Sequence, residues 1–128
     1  MIKTTFKSAW HIIGGKRNYY RSGWEANYAY YLEWLKQKKQ IVDWEHEPDT
    51  FWFILIKRGV RSYLPDFKVT NVDSSIEYHE VKGRMDSKSA TKIKRMKKYH
   101  PKIKLVVIDS NAYRSIEKTM KSIIKEWS

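Results

Sequence analysis

Two apolar segments joined by a short polar break constrain this chain more than any other feature of it. Tyr63-Leu64-Pro65-Asp66-Phe67-Lys68-Val69 comes first, and Ile76-Glu77-Tyr78-His79-Glu80-Val81-Lys82-Gly83 follows the break Asn71-Val72-Asp73-Ser74-Ser75. A break of that composition reads as a hairpin loop, so the segments are expected to pair as adjacent strands. Side chains two apart on a strand share a face, which puts Glu80 and Lys82 together with Tyr78 and Ile76. Strand pairing then brings Asp66 to the same spot. Pro65 argues for an edge position, a bulge or a bend in its strand. Gly83 leaves room for another backbone, or a ligand, to come close.

The rest of the chain can be laid around this pair. Ser22 is a fair helix N-cap, and Gly23 to Lys39 has helical spacing, with Trp24, Tyr28, Tyr31, Leu32 and Leu35 on one stripe. Ile41 to Glu47 alternates as a strand. Phe51 to Ile56 reads as a dense strand that folds back at Lys57-Arg58-Gly59 onto one running from Val60 to Val69. Helical spacing returns from Asp86 to Tyr99, with Ala90, Ile93, Met96 and Lys97 on one side. Lys104 to Asp109 reads as a buried parallel strand. Ser110 or Asn111 is expected to cap a last helix reaching about Trp127, with Ile116, Met120, Ile123, Ile124 and Trp127 inward. The expectation is an α/β chain, a mixed sheet covered by helices. A basic arm, residues 1–21, loosely ordered around Gly14-Gly15, precedes a single domain, residues 22–128.

Charge narrows the partner. The net charge is +12, distributed as +5 over residues 1–21, −3 over 22–81, +9 over 82–104 and +1 over 105–128. The acids therefore gather around the strand pair, and the excess positive charge flanks them. Such a surface suits a polyanion, with a soluble basic protein as the plain alternative. Lys88, Lys92, Lys94, Arg95, Lys97 and Lys98 on the second helix, and Lys16, Arg17 and Arg21 on the arm, are the candidate DNA contacts. Tyr19 and Tyr20 could stack on exposed bases. The chain has no cysteine, and so neither a disulfide nor a thiolate zinc site. Without an export signal or an apolar run long enough to span a bilayer, the default compartment is the cytoplasm (the host's, if phage-encoded) and no membrane partner is expected.

Two carboxylates and an ammonium at one spot suit metal-assisted phosphodiester hydrolysis. Asp66 and Glu80 would be the metal ligands, and Lys82 would position or deprotonate the attacking water or stabilise phosphoryl charge. The bland alternative is an exposed cross-strand salt bridge worth ~0–1 kcal/mol. Glu25 points within roughly 20° of Leu32 on its helix, so it needs a partner on the covered side, or else it serves the helix dipole. Glu33 reads as solvent-facing and Glu47 as a surface acid or an outlying member of the site. The four histidines share no ligand spacing, and His79 should face away from Glu80. Trp34 and Tyr30, opposite the apolar stripe, could form a dimer contact.

The Trp24-Glu25-Ala26 helix, Tyr63-x-Pro65-Asp66-Phe67 and Glu80-Val81-Lys82-Gly83 make the chain resemble a PD-(D/E)XK nuclease, over most of residues 22–109. The nearest parallels are small phage-encoded proteins of that superfamily and archaeal-type Holliday-junction resolvases. The resemblance implies a restriction-endonuclease-like αβββαβ core, here with an additional C-terminal helix. It also implies catalysis by Glu25, Asp66, Glu80 and Lys82, magnesium with manganese as substitute, and hydrolysis leaving a 5′-phosphate. For a resolvase it further implies a homodimer acting on branched DNA. Alternatives are a transposon-end, flap or restriction-type nuclease, or a catalytically silent DNA-binding module.

Overall fold

In the computed structural model, which describes residues 8–128, the chain forms three helices and a four-stranded mixed sheet with two small two-stranded sheets. β1 (Ala9–Ile13) and β2 (Lys16–Tyr20) are followed by α1 (Gly23–Gln37), β3 (Ile41–His46), β4 (Phe51–Trp52) and β5 (Ser62–Tyr63). Then come β6 (Phe67–Asn71), β7 (Ile76–Val81), α2 (Ser87–Tyr99), β8 (Lys104–Ile108) and α3 (Ser110–Met120). The main sheet runs β3-β6-β7-β8, with β3/β6 and β6/β7 antiparallel and β7/β8 parallel. The β7–α2–β8 connection is long enough to carry its helix over the sheet, as parallel pairing requires. No helix among the described residues is long and apolar enough to cross a membrane.

Two cores lie on opposite faces of this sheet. On one face α1 and α3 pack through Ala26, Tyr28, Ala29, Leu32 and Tyr113 against Ile41, Trp44, Phe67, Val69 and Ile108. On the other, Phe53, Tyr63 and Met96 knit the β4–β5 hairpin to α2, joined by Tyr99, Ile103 and Leu105. The first half of α1 is more enclosed than a single stripe provides: Glu25, Ala26, Asn27, Tyr28 and Ala29 are all buried. The reason is the C-terminus, which folds across the helix. Asn27 donates to the Tyr113 hydroxyl at 2.9 Å and to the Ser128 carbonyl at 3.0 Å, and Tyr113 stacks on Trp24 with centroids 3.9 Å apart.

Several expectations are corrected. Residues 9–20 are a β-hairpin, not a loose arm, and Ile13 and Tyr20 join the main core; residues 1–7 lie outside the described residues. Glu33 is not free in solvent, because this hairpin folds over its side of α1. Its carboxylate accepts Trp44 Nε1 at 2.9 Å and Gln37 Nε2 at 3.1 Å. The same cover meets Tyr30, whose hydroxyl lies 3.0 Å from His11 Nδ1. In β3 a register shift between Ile41 and Asp43 lets Ile41 and Trp44 both point inward while Val42 is exposed. The dense strand Phe51–Ile56 stops at Trp52, and Ile54 and Leu55 face solvent. The strand from Val60 is split in two around Leu64-Pro65-Asp66. On α2, Met96 and Ser89 are buried whereas Ala90 and Lys97 are exposed. α3 is capped by Asp109 and ends at Met120, leaving Ile123 exposed though Ile124 is buried.

The hairpin turn offers a direct test. Gly14 and Gly15 both have positive φ, at 59° and 80°, as a two-residue turn of this hand requires. A Cβ on Gly14 would run into the Glu33 carboxylate, the acceptor of Trp44 Nε1, whereas a Cβ on Gly15 meets nothing within 4 Å. Gly14→Ala is expected to destabilise the fold by about 1–2 kcal/mol more than Gly15→Ala, because strain at φ is common to both and the clash is not. Urea midpoints of the two variants read the difference.

Candidate active site

The topology gathers chemistry at one end of the main sheet. Antiparallel pairing of β3, β6 and β7 sets the C-terminal end of β3, the approach to β6 and the C-terminal end of β7 side by side. The N-terminal turn of α1 lies over the same end. His46, Glu47, Asp66, Glu80, Lys82 and Glu25 are the side chains carried there.

Asp66 and Glu80 are locked together. The Asp66 backbone N–H donates to Glu80 Oε1 at 3.2 Å, and the Val81 backbone N–H donates to Asp66 Oδ2 at 2.8 Å. The Tyr63 hydroxyl adds a second donor to Glu80 Oε1 at 2.7 Å. One oxygen of each carboxylate is thereby fixed, which orients the other. Burial, reinforced by the charges of Glu80, Glu25 and Glu47, pushes the Asp66 carboxyl well above the usual carboxylate range. Burial also raises Glu80, against the Tyr63 and Asp66 hydrogen bonds and the charges of Lys82 and Lys92. Lys82 itself lies 3.7 Å from Asp86, the residue that caps α2, and its backbone N–H continues the pairing to the Ile108 carbonyl.

Beside this pair is a group that linear spacing did not show. Glu25, His46 and Glu47 each offer one ligand atom, all within 4.8 Å of one another. Glu25 is buried and its Oε2 lies 2.6 Å from His46 Nε2, the partner its position on α1 called for. His46 is held between the rings of Tyr20, 4.4 Å away, and Phe67, 5.4 Å away. Glu47 has φ +48°, an uncommon backbone for a residue with a side chain. Arg21 Nη1 approaches Glu47 Oε2 at 3.0 Å as an ion pair. The missed members, His46 and Tyr63, had one available signal: each alternates onto an inward face of its strand while carrying a polar atom that needs a partner. His79 does face away from Glu80, with Nδ1 2.6 Å from the Tyr28 hydroxyl and Nε2 2.7 Å from Glu77.

A cleft of about 510 Å³ opens next to these groups, its charged lining supplied by Lys82, Arg84 and Asp86 beside Ser22, Trp24 and Gly83. Gly83 packs closely there: a Cβ would lie 3.1 Å from the Trp24 ring, so a larger residue needs that ring to move by a few tenths of an ångström. Of the basic candidates, Lys88, Lys94, Lys97 and Lys98 are exposed along α2. Lys92 leans over the Tyr63 ring at 5.9 Å, and Arg95 donates to the Val60 carbonyl. On the hairpin, Arg17 stacks on Trp10 at 4.1 Å and Arg21 pairs with Glu47. Lys16 is engaged by Asp43 and the Trp44 carbonyl, so it fastens the hairpin to β3.

The donor set fits a divalent cation. Hard carboxylate oxygens from Asp66 and Glu80 suit magnesium or manganese, and crowding of four buried or half-buried acids is relieved by positive charge. Comparison with family models, curated proteins and solved structures gives no match to this chain.

The crowding has a measurable sign. A carboxyl whose value is raised by folding loses stability as pH rises from its unfolded value, about 4, through the raised one. In EDTA at pH 8, Asp66→Asn is therefore expected to melt above the native chain, the gap closing as pH falls to about 4. Manganese should raise the melting temperature of the native chain and leave the variant unmoved. Thermal denaturation followed by circular dichroism checks this; a variant that melts lower at pH 8 would sink the crowding argument.

Proposed function

We propose that the chain is a metal-dependent DNA endonuclease of the PD-(D/E)XK type. The observation that carries the reading is the reciprocal lock of Asp66 and Glu80 beside Glu25, with Lys82 one residue beyond the strand end. The order α1, β3, the β4–β5 excursion, β6, β7, α2, β8 is read as a restriction-endonuclease-like core, and α3 as its added helix.

Each residue has work that follows from its position. Asp66 and Glu80 would hold magnesium or manganese, with Glu25 and His46 completing the polar wall. The cation would supply Lewis-acid polarisation of a phosphoryl oxygen and a more acidic water. Lys82, on the strand extension beside the cleft, would position the attacking water and offset phosphoryl charge. Tyr63 holds Glu80 in its orientation and so acts through it. The exposed lysines of α2, with Arg17 and Arg21, would grip the phosphate backbone without reading sequence.

Structured, branched DNA is the substrate class we favour, a four-way junction first, with two copies of the chain making the symmetric cuts. Flap, transposon-end and restriction-type substrates share the same chemistry. The test is cleavage of a labelled junction beside linear duplex, single-stranded and flapped DNA in magnesium, manganese, calcium and EDTA. Cutting is expected in magnesium and manganese, and Asp66→Asn, Glu80→Gln and Lys82→Ala should each lower its rate about 100-fold or more while binding persists. Tight binding without cutting in any metal overturns the enzyme and leaves a DNA-binding module.

A further inference from the structure

The β4–β5 hairpin ends in a tip that the nuclease reading leaves unused. Between Thr50 and Asp66 there is no acid, and Lys57, Arg58 and Arg61 are all exposed. At the same tip Ile54 is 88% and Leu55 77% exposed, with Trp52 beside them at 58%. Single exposed aliphatics are ordinary, but two adjacent ones with a tryptophan, on a built loop, form a contiguous apolar projection.

The loop is fastened from within. Phe53, 1% exposed, is its anchor, packed 5.8 Å from the Tyr99 ring in the core shared with Met96. Phe53 N–H donates to the Arg61 carbonyl at 2.9 Å, and Ile56 N–H to the Phe53 carbonyl at 2.9 Å. Arg95 of α2 takes the Val60 carbonyl, and His100 Nε2 lies 2.9 Å from the Trp52 carbonyl. The foot of the hairpin is Tyr63, whose hydroxyl bonds Glu80. Apolar tip, basic helix and carboxylate pair are thus carried by one rigid unit.

We propose that this tip is a wedge for nucleic acid: Ile54 and Leu55 enter between bases next to the cleaved phosphate, and Lys57, Arg58 and Arg61 hold the phosphates on either side. It rests on the nuclease reading for its partner. Burying two aliphatic side chains offsets a cost of the same order as opening one base step, and that cost is least where a branch has already interrupted stacking. A symmetric contact between two copies would set these three cations against their own equivalents, which charge repulsion opposes.

The experiment places 2-aminopurine at the branch-point steps of a four-way junction and follows its fluorescence in calcium or EDTA, where nothing need be cut. The native chain should raise the fluorescence, and Ile54→Ser/Leu55→Ser should lose the rise while its melting temperature and the salt dependence of its affinity stay put. Lys57→Ala/Arg58→Ala/Arg61→Ala should keep the rise at saturation and make the slope of log affinity on log salt shallower by about 2.7. No rise with the native chain, or an undiminished one in the serine variant, overturns the wedge. So does a serine variant that changes only the sedimentation mass, which makes the tip a self-association surface. Loss of binding to anionic vesicles alone overturns it too, making the tip a membrane contact. A rise with no cutting in magnesium or manganese sinks the nuclease and spares the wedge.

Discussion

The site depends on how the β6–β7 ladder ends. The last register pair is Phe67 with His79, and one step further Asp66 stands opposite Glu80. Pro65 has no N–H to continue the pairing, so the backbone donors at that end, Asp66 and Val81, turn to carboxylates. Each acid thus satisfies the backbone of the other strand. That exchange holds two negative groups close together where burial and repulsion oppose it, and it ties their orientation to the sheet. Truncating either side chain to alanine would leave a backbone N–H without its acceptor, whereas an amide in its place keeps an acceptor oxygen.

Around that end, electrostatic cost is arranged in layers. Glu25 is matched by His46, Glu47 by Arg21, and Glu80 by Tyr63 with Lys82 and Lys92 at longer range. At Asp66 the Val81 N–H works against burial and the charges of Glu80, Glu25 and Glu47, and the carboxyl is pushed well above the usual range. Burial first, and the charges of neighbouring acids second, therefore weigh most heavily on one carboxyl at this end of the sheet. Functional sites commonly carry such a local cost, offset by the packing around them. Here the offset comes from the aromatic shell of Tyr20, Phe67 and Trp44 on one side and the Phe53–Tyr63–Met96 cluster on the other.

Much of the scaffold was legible from pattern. The hairpin loop Asn71–Ser75, the Ser22 and Asp86 boundaries of α1 and α2, and the parallel strand Lys104–Ile108 all follow from turn chemistry, capping and an uninterrupted apolar run. Less legible were elements whose fate depends on a distant neighbour. The β1–β2 hairpin is hard to read because its five-residue strands carry large apolar residues on both faces, Ile13 and Tyr20 buried and Trp10, Ile12 and Tyr19 exposed. It becomes ordered by packing on α1. Phe51–Ile56 has the composition of a strand throughout, yet pairing stops at Trp52, where Phe53 turns in to the second core and leaves Ile54 outside.

What the sequence by itself determined was the pairing of the two segments around Asn71–Ser75, and with it the meeting of Asp66 and Glu80. Strand alternation and a turn-forming loop are local properties, and local properties are encoded in adjacent residues. What only the tertiary structure decided was the company those acids keep. His46, twenty-one residues from Glu25, meets it because α1 lies across the end of β3. Glu33 is covered because a hairpin some fifteen residues earlier folds back over it. Contacts of that separation are set by which layers pack together, and the area they bury has no period along the chain.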